Sequence, residues 1–314
     1  MLVTGANGFI GSHVVRLLLE RGYETVAGIG PTADAWRLAD VLDAIETLPL
    51  DLESNGIDAS ARELRGTTAI VHLAARGVNP AEDDAEGIVR ANIGGTLRLL
   101  ELARELGAER FVHCGSCFEY GTGALLREDS PLRPVAVYGA SKAGATLLAH
   151  AFGRTHGLPV VALRPFTAYG PFEGRHRLVP STIVSALRGA PIDLTGGEQT
   201  RDFVFVGDIA EAFVVAVEAN DVGGETFNLC SGTETTVREL AQRTVDLTGT
   251  SAELRFGALP YRDDELWTLS GDPRRSTERL GWTARTSLQD GLEQTVAWFR
   301  DQQPTAEHAY GTSR

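Results

Sequence analysis

Leu2-Val3-Thr4-Gly5-Ala6-Asn7-Gly8-Phe9-Ile10-Gly11-Ser12-His13-Val14-Val15-Arg16-Leu17-Leu18 is the stretch on which the fold turns. Leu2-Val3-Thr4 is a clipped strand. Gly5, Gly8 and Gly11 follow at G-x-x-G-x-x-G spacing. Phe9 to Arg21 then carries Ile10, Val14, Leu17 and Leu18 at helical spacing until Gly22 stops it. Glycines so placed let the backbone turn tightly and approach a pyrophosphate, whose charge lies at the N-terminus of the helix. Strand, glycine turn and helix together predict a dinucleotide-binding unit.

The same alternation continues outward. Strands are expected at Thr25-Val26-Ala27, within Ile45 to Leu52, at Ala69 to Leu73, at Arg110 to Cys114 and at Pro159 to Leu163. Helices are expected over Asp84 to Leu106 and Tyr138 to His156. Strands that are nearly all apolar, alternating with helices, imply a parallel sheet covered on both faces, an α/β Rossmann-type doubly wound fold. After Arg164 the rhythm changes: Pro165, Pro171, Pro180 and Pro191 are read as breaks, and helices recur at Val237 to Leu247 and Leu288 to Phe299. Residues 1–165, joined by parts of 202–230, are expected to bind the dinucleotide. Residues 166–314, interleaved at their start, are expected to form a smaller mixed α/β substrate domain with a frayed tail from Gln303.

Composition narrows the function. The chain has 314 residues, 43% apolar and 23% charged, an ordinary globular balance that excludes a disordered or fibrous protein. Lys plus Arg number 29 against 42 Asp plus Glu, a net charge of −13, and no local basic patch argues for nucleic acid or anionic membrane as a partner. No apolar run approaches the roughly 20 residues needed to span a bilayer. No basic segment or cleavage site follows Met1, so a cytoplasmic location is expected. Cys114-Gly-Ser-Cys117 is formally C-x-x-C, but a zinc site needs two more ligands and only Cys230 remains. Cys114 is read as a small buried hydrophobe and Cys117 as a pocket wall. The seven histidines show no ligand spacing; His13 and His72 are read as packed structural residues, and no metal is expected.

The second chemical signal is Tyr138-Gly-Ala-Ser-Lys142, which sets Tyr and Lys on one helix face at i and i+4. An ammonium beside a phenol favours phenolate, so Lys142 is expected to lower the pKa of Tyr138 toward acid/base use. Ser116, just after the fifth strand, stands where such a sheet opens to ligand, and its hydroxyl can bind a reacting oxygen.

With these residues in hand the chain resembles the extended short-chain dehydrogenase/reductases, nearly end to end. Gly5/Gly8/Gly11, Ser116, Tyr138 and Lys142 carry the resemblance. Asp51-Leu52, Leu73-Ala74-Ala75, Asn92-Ile-Gly-Gly-Thr96, Leu163-Arg164-Pro165 and Tyr169-Gly170-Pro171 extend it. Gln199-Thr-Arg201-Asp202-Phe203 and Leu280-Gly281-Trp282 are similar to the branch that modifies nucleotide-diphosphate sugars. The resemblance implies NAD or NADP held by Gly5, Asn7, Gly8, Phe9, Ile10, Gly11, Asp51, Leu52, Leu73, Ala74, Ala75, Asn92, Tyr138, Lys142 and Pro165. It implies a substrate held by Ser116, Cys117, Phe118, Thr167, Arg177, Arg201 and Arg262, with Arg201 and Arg262 on its pyrophosphate. It also implies a homodimer through two helices per subunit, one carrying Tyr138 and Lys142, the other Asn92 to Leu106.

Three departures bear on the reaction. The second strand ends on Ile29-Gly30, with no acid for a ribose 2′-hydroxyl, and Arg37 lies downstream; both tilt the cofactor toward NADP. Cys117-Phe118 stand where the resembling sugar 4,6-dehydratases carry an Asp-Glu pair, which disfavours dehydration. Thr167 stands in the Phe166-Thr167-Ala168-Tyr169 run, where the family's Asn is usual. The expected activity is therefore an NADPH-dependent 4-keto-(deoxy)sugar reductase, with an NAD-dependent epimerase as the alternative and a non-catalytic dinucleotide sensor as a second.

Overall fold

The computed structural model describes residues 1–53, 64–79 and 82–302; the tail from Gln303 lies outside them. In chain order the strands are β1 (Leu2–Thr4), β2 (Val26–Ile29), β3 (Glu46–Pro49), β4 (Ala69–His72), β5 (Arg110–Cys114), β6 (Gly123–Leu126), β7 (Val160–Pro165) and β8 (Thr167–Tyr169). They continue as β9 (Ile192–Leu194), β10 (Thr200–Arg201), β11 (Phe203–Phe205), β12 (Thr226–Leu229), β13 (Thr235–Thr236), β14 (Leu254–Phe256) and β15 (Thr268–Gly271). The helices are α1 (Phe9–Glu20), α2 (Ala85–Val89), α3 (Gly95–Leu106), α4 (Val137–His156), α5 (Leu178–Leu187), α6 (Val206–Glu218), α7 (Val237–Thr248) and α8 (Leu288–Asp301).

Seven strands form one sheet in the order β12-β7-β5-β4-β1-β2-β3, and every neighbouring pair is parallel. This is the expected Rossmann-type sheet. Alternation along each strand sends Val3, Val71, Val112 and Val161 into one buried cluster, which also takes residues of α1 and α6. Their neighbours Leu2, Ile70, Phe111 and Val160 enter another, with residues of α3 and α4. Burying each such side chain stabilises the fold by about 1.5–3 kcal/mol, and both faces are covered. Strand order reverses at β1, where the chain runs outward first to β3 and then the other way through β4. The crevice at the strand ends beside that switch point is where open α/β sheets bind ligands. Gly5, Leu73, Gly115 and Phe166 each follow directly on one of these ends.

From β8 onward the chain builds smaller layers: a four-stranded sheet, β13-β10-β15-β6, and the pairs β8–β11 and β9–β14. It returns through α6 to place β12 on the main sheet beside β7. The reading of Pro180 as a break is corrected. Pro180 is the third residue of α5, in the first turn, where a backbone N–H has no intrahelical acceptor and its loss costs little. The helix expected over Asp84 to Leu106 is divided. Asp84 caps α2 by accepting the Gly87 N–H at 2.9 Å, a π-helical turn occupies Arg90–Gly94, and α3 ends on Gly107 at φ +68°. Among the described residues no helix is long and apolar enough to cross a membrane.

Candidate active site

The glycine turn is shaped by close approach. Gly5 has φ +67°, and a Cβ there would meet Ala74 N at 2.7 Å, just past the end of β4. A Cβ on Gly11 would run into the Gly5 carbonyl oxygen. Gly8 caps α1 without a side chain, and the first turn, with Phe9 and Ile10, holds no acid. The positive end of the helix is thus uncovered, as a pyrophosphate requires. Asn7 Nδ2 donates to Asp34 O at 3.1 Å, and Asn7 O accepts from Arg37 Nη1 at 3.4 Å. Arg37 also donates through Nε to Phe172 O at 2.8 Å and lies over the Trp36 ring. Arg37 is therefore held against the glycine turn; Ile29 is buried and Gly30 exposed.

Beyond β3, Asp51 Oδ1 accepts the Glu53 N–H at 2.9 Å, and Leu52 is buried. Leu73, Ala74 and Ala75 follow β4 as half-buried residues. Asn92, in the π-helical turn, is buried and works inside the protein. Its amide accepts the Arg76 N–H (2.8 Å) and donates to Arg76 O (3.0 Å) and Ser141 Oγ (2.8 Å), clamping the segment after β4 to α4.

Ser116, Tyr138 and Lys142 come together at the end of β5. Ser116 Oγ accepts the Phe118 N–H at 3.2 Å, and the Ser116 hydroxyl beside Tyr138 draws the phenol pKa down. Burial outweighs it and raises the phenol well above its ordinary value, with Cys114, Cys117 and Glu119 adding to the rise. The Phe118 ring stands edge-on to Tyr138 at 6.2 Å between centroids. Lys142 is 2% exposed, and burial lowers its pKa, with Cys114 and Glu119 beside it acting the other way. The net direction of the Tyr138 shift is set by burial. The Lys142 charge also bears on His72 in β4 and on His113 and Cys114 in β5.

Cys114 and Cys117 are free and buried. Burial pushes their thiols up to about 11 and about 12, so neither is a nucleophile at neutral pH. His72 is hydrogen-bonded to Thr4 Oγ1 (2.8 Å) and Thr96 Oγ1 (3.0 Å), and His13 to Pro171 O (2.9 Å), as packed residues. Among the described residues no cluster of side chains could hold a metal ion.

Composition and spacing did not single out Glu119. Its Oε1 accepts the Ser116 N–H at 2.9 Å and the Thr146 hydroxyl at 3.0 Å, and its Oε2 accepts from Arg164 Nε at 2.8 Å. Ser116-Cys-Phe-Glu119 is a capping box, so the S-x-x-E spacing was the readable signal.

On the substrate side, Arg201 in β10 donates to Glu265 Oε1 at 2.6 Å and to Thr200 O at 2.8 Å. Its charge reaches Cys117, which places it at the same site. Thr167 opens β8 beside Pro165. Arg177 is the N-cap of α5, 3.7 Å from the buried Glu173. Arg262 is 54% exposed and forked onto Asp264 at 3.0 Å.

Residues 1–230 match the Epimerase family, described as the NAD dependent epimerase/dehydratase family. The chain is 33% identical to a dTDP-glucose 4,6-dehydratase of Streptomyces niveus, over 96% of this chain and 93% of that protein. It is 33% identical to a UDP-glucose 4-epimerase of Mycolicibacterium smegmatis, over 96% and 98%. A solved dTDP-glucose 4,6-dehydratase from Streptomyces venezuelae, with NAD and TYD bound, matches at TM-score 0.89 and 34% identity, over 98% of this chain and 99% of that one. Fold, glycine turn and matches agree, and the chain belongs to the NAD-dependent epimerase/dehydratase family, within the extended short-chain dehydrogenase/reductases.

Proposed function

We propose that this protein is an oxidoreductase of nucleotide-diphosphate sugars that reduces a 4-keto sugar with NADPH, Tyr138 delivering the proton. The loop after β5 carries the proposal. Where the resembling dehydratases place an Asp-Glu pair, this chain has Cys117, whose thiol keeps its proton, and Phe118. The one carboxylate of the loop, Glu119, has no exposed surface, and its oxygens are occupied by Ser116, Thr146 and Arg164. Tyr138 is left to move a proton at the sugar oxygen. A phenol held above its ordinary value is protonated at neutral pH, the state a donor needs.

The glycine turn fits a dinucleotide, since a Cβ on Gly5 or Gly11 would meet backbone of the turn or of the β4 end and hold the turn open, and the α1 N-terminus carries no competing acid. A bound dinucleotide supplies the hydride. The Gly5-to-Gly11 turn holds its pyrophosphate, Asp51 and Leu52 flank its adenine, and Lys142 holds its nicotinamide ribose. Ile29 and Gly30 set no carboxylate against a 2′-phosphate, and Arg37 brings positive charge to that side of the turn. Ser116 orients the reacting oxygen, and Arg201 and Arg177 take the substrate pyrophosphate. Arg262 joins them only by leaving Asp264. Residues 1–165 with α6 and β12 form the dinucleotide part and the remainder the sugar-nucleotide part. Leu97 and Leu147, exposed on α3 and α4, form the contact of a homodimer.

An epimerase is the second reading, supported by the Mycolicibacterium relative and by the NAD of the Streptomyces structure. The test is turnover of nucleotide-linked 4-keto-6-deoxysugars with NADPH. Net NADPH consumption, lost roughly 10²- to 10⁴-fold in Tyr138→Phe, supports the reductase. Interconversion of UDP-glucose without net consumption points to the epimerase. Equal turnover in Tyr138→Phe removes the catalytic assignment.

A further inference from the structure

Glu119 is buried more completely than the residues it serves, and it touches three of the elements that build the site. Its Oε1 takes the Ser116 backbone N–H and the Thr146 hydroxyl, at 2.9 and 3.0 Å. Thr146 lies one turn beyond Lys142 and two beyond Tyr138, on the same face of α4. Its Oε2 takes Arg164 Nε at 2.8 Å, from β7, which is paired with the strand that ends before Ser116. Arg164 is held in turn: its Nη1 donates to the Tyr120 hydroxyl at 2.6 Å, and that hydroxyl donates to Asn228 Oδ1 at 2.7 Å. Even the residue before Ser116 is shaped by the carboxylate, since a Cβ on Gly115 would meet Glu119 Oε1 at 2.5 Å.

We propose that Glu119 is a positioning residue for Ser116, locking the loop that carries the reacting-oxygen ligand to the helix that carries Tyr138 and Lys142. The proposal rests on the assignment of Ser116 and Tyr138 as catalytic residues. Buried ion pairs add little net stability compared with well-packed apolar side chains, so holding the pair at this place serves position more than strength. Ser116 is fixed twice, its N–H by Glu119 and its Oγ by the Phe118 N–H, so that its hydroxyl is held between the Tyr138 phenol and the place of the reacting oxygen. Without the carboxylate the N–H loses its acceptor and the tie to α4 opens.

The same carboxylate acts on the proton carriers. The titratable groups facing Lys142 are Cys114 and Glu119, with His72 and His113 against it from β4 and β5. Those facing Tyr138 are Cys114, Cys117 and Glu119. Removing a negative charge stabilises the phenolate and destabilises the ammonium, so both groups titrate at lower pH. A donor is lost as pH rises through its pKa, and the descending limb of the rate profile therefore moves to lower pH.

The experiment compares wild type, Glu119→Gln, the double variant Glu119→Leu/Arg164→Met, and Tyr138→Phe with NADPH and a nucleotide-linked 4-keto-6-deoxysugar. The double variant removes both buried charges, so its fold does not depend on a stranded one. Positioning by Glu119 predicts a fall in kcat of roughly 10- to 100-fold in the double variant. KM and the dinucleotide Kd should stay within about twofold, and in Glu119→Gln, which loses the negative charge alone, the descending pH limb should move down. Wild-type kcat with an unmoved limb overturns the proposal and reduces Glu119 to a partner for Arg164. A loss carried equally by the dinucleotide Kd also overturns it, since that is general loosening of the site. Full activity in Tyr138→Phe would instead remove the catalytic assignment beneath it.

Discussion

Gly11→Ala adds one methyl group where the glycine turn has no room for it. The new Cβ would run into the Gly5 carbonyl oxygen and lie 2.9 Å from the Gly5 carbonyl carbon and 3.1 Å from Ala6 Cα. All three are backbone atoms, so no side chain can swing away. The same Gly5 oxygen accepts the Gly8 N–H at 2.9 Å and so closes the turn. Overpacking of this kind costs about 1–3 kcal/mol. Falling on the binding-competent shape of the turn, that cost weakens dinucleotide affinity roughly 5- to 150-fold, at about 1.4 kcal/mol per tenfold. Gly22→Ala is the control. Gly22 has φ +80° with nothing within 4 Å of a built Cβ, so its cost is about 1–2 kcal/mol of backbone strain. It should lower stability and leave binding unchanged. Fluorescence titration with NADPH and urea unfolding of both variants separate the two effects. Wild-type affinity in Gly11→Ala, or equal losses of affinity in both, would refute the close-approach explanation of the turn.

Acidification should destabilise the fold through its buried imidazoles. Burial lowers the His72 pKa to about 3, so the unfolded chain takes up protons first. Stability is full above the unfolded pKa near 6.5 and is lost as pH falls below it, by about 2 kcal/mol from His72 alone at pH 5. Urea midpoints at pH 7.5 and 5 should converge in His72→Gln, and an unchanged gap would count against it. Glu173 is pushed up to about 8 by burial, so the opposite sign applies: its contribution declines as pH rises from about 4.5 to 8. Glu173→Gln should gain stability over wild type at pH 8.5 in thermal unfolding, and a loss there would contradict the assignment of a buried neutral acid. Leu147 is 60% exposed on α4; Leu147→Asp should turn a dimer into a monomer in sedimentation velocity, whereas a monomeric wild type would exclude that interface.

Much of the fold was legible because parallel, doubly covered strands are apolar throughout and their helices are amphipathic. β1 and β5 stand where the sequence places them, and α1 runs to within one residue of the predicted end. α6 escaped notice for a physical reason. Val206, Ile209, Ala210, Ala212, Phe213, Val214 and Ala216 are all buried, so no polar face marks its period. The π-helical turn at Arg90–Gly94 escaped too, because the extra residue that turns Asn92 inward leaves the helical pattern on either side intact. Short pairings such as β10–β13 span two residues each and take their register from tertiary partners, not from local preference.

The site was legible where chemistry demands a residue type at a spacing, as in Tyr138 with Lys142. It was less so where burial decides. Burial sets the direction of the Tyr138 shift, and Glu119, the carboxylate that organises the loop, lies one position past the pair whose absence drew attention.

Cofactor identity tests the reductase assignment most directly. The purified protein is denatured, any released dinucleotide is identified by mass spectrometry, and stripped protein is titrated with NADPH and NADH. A reductase with no acid at Ile29-Gly30 should come away largely empty and bind NADPH at least tenfold more tightly, about 1.4 kcal/mol. Stoichiometric NAD that survives purification, with no preference for NADPH, would contradict it and leave the epimerase.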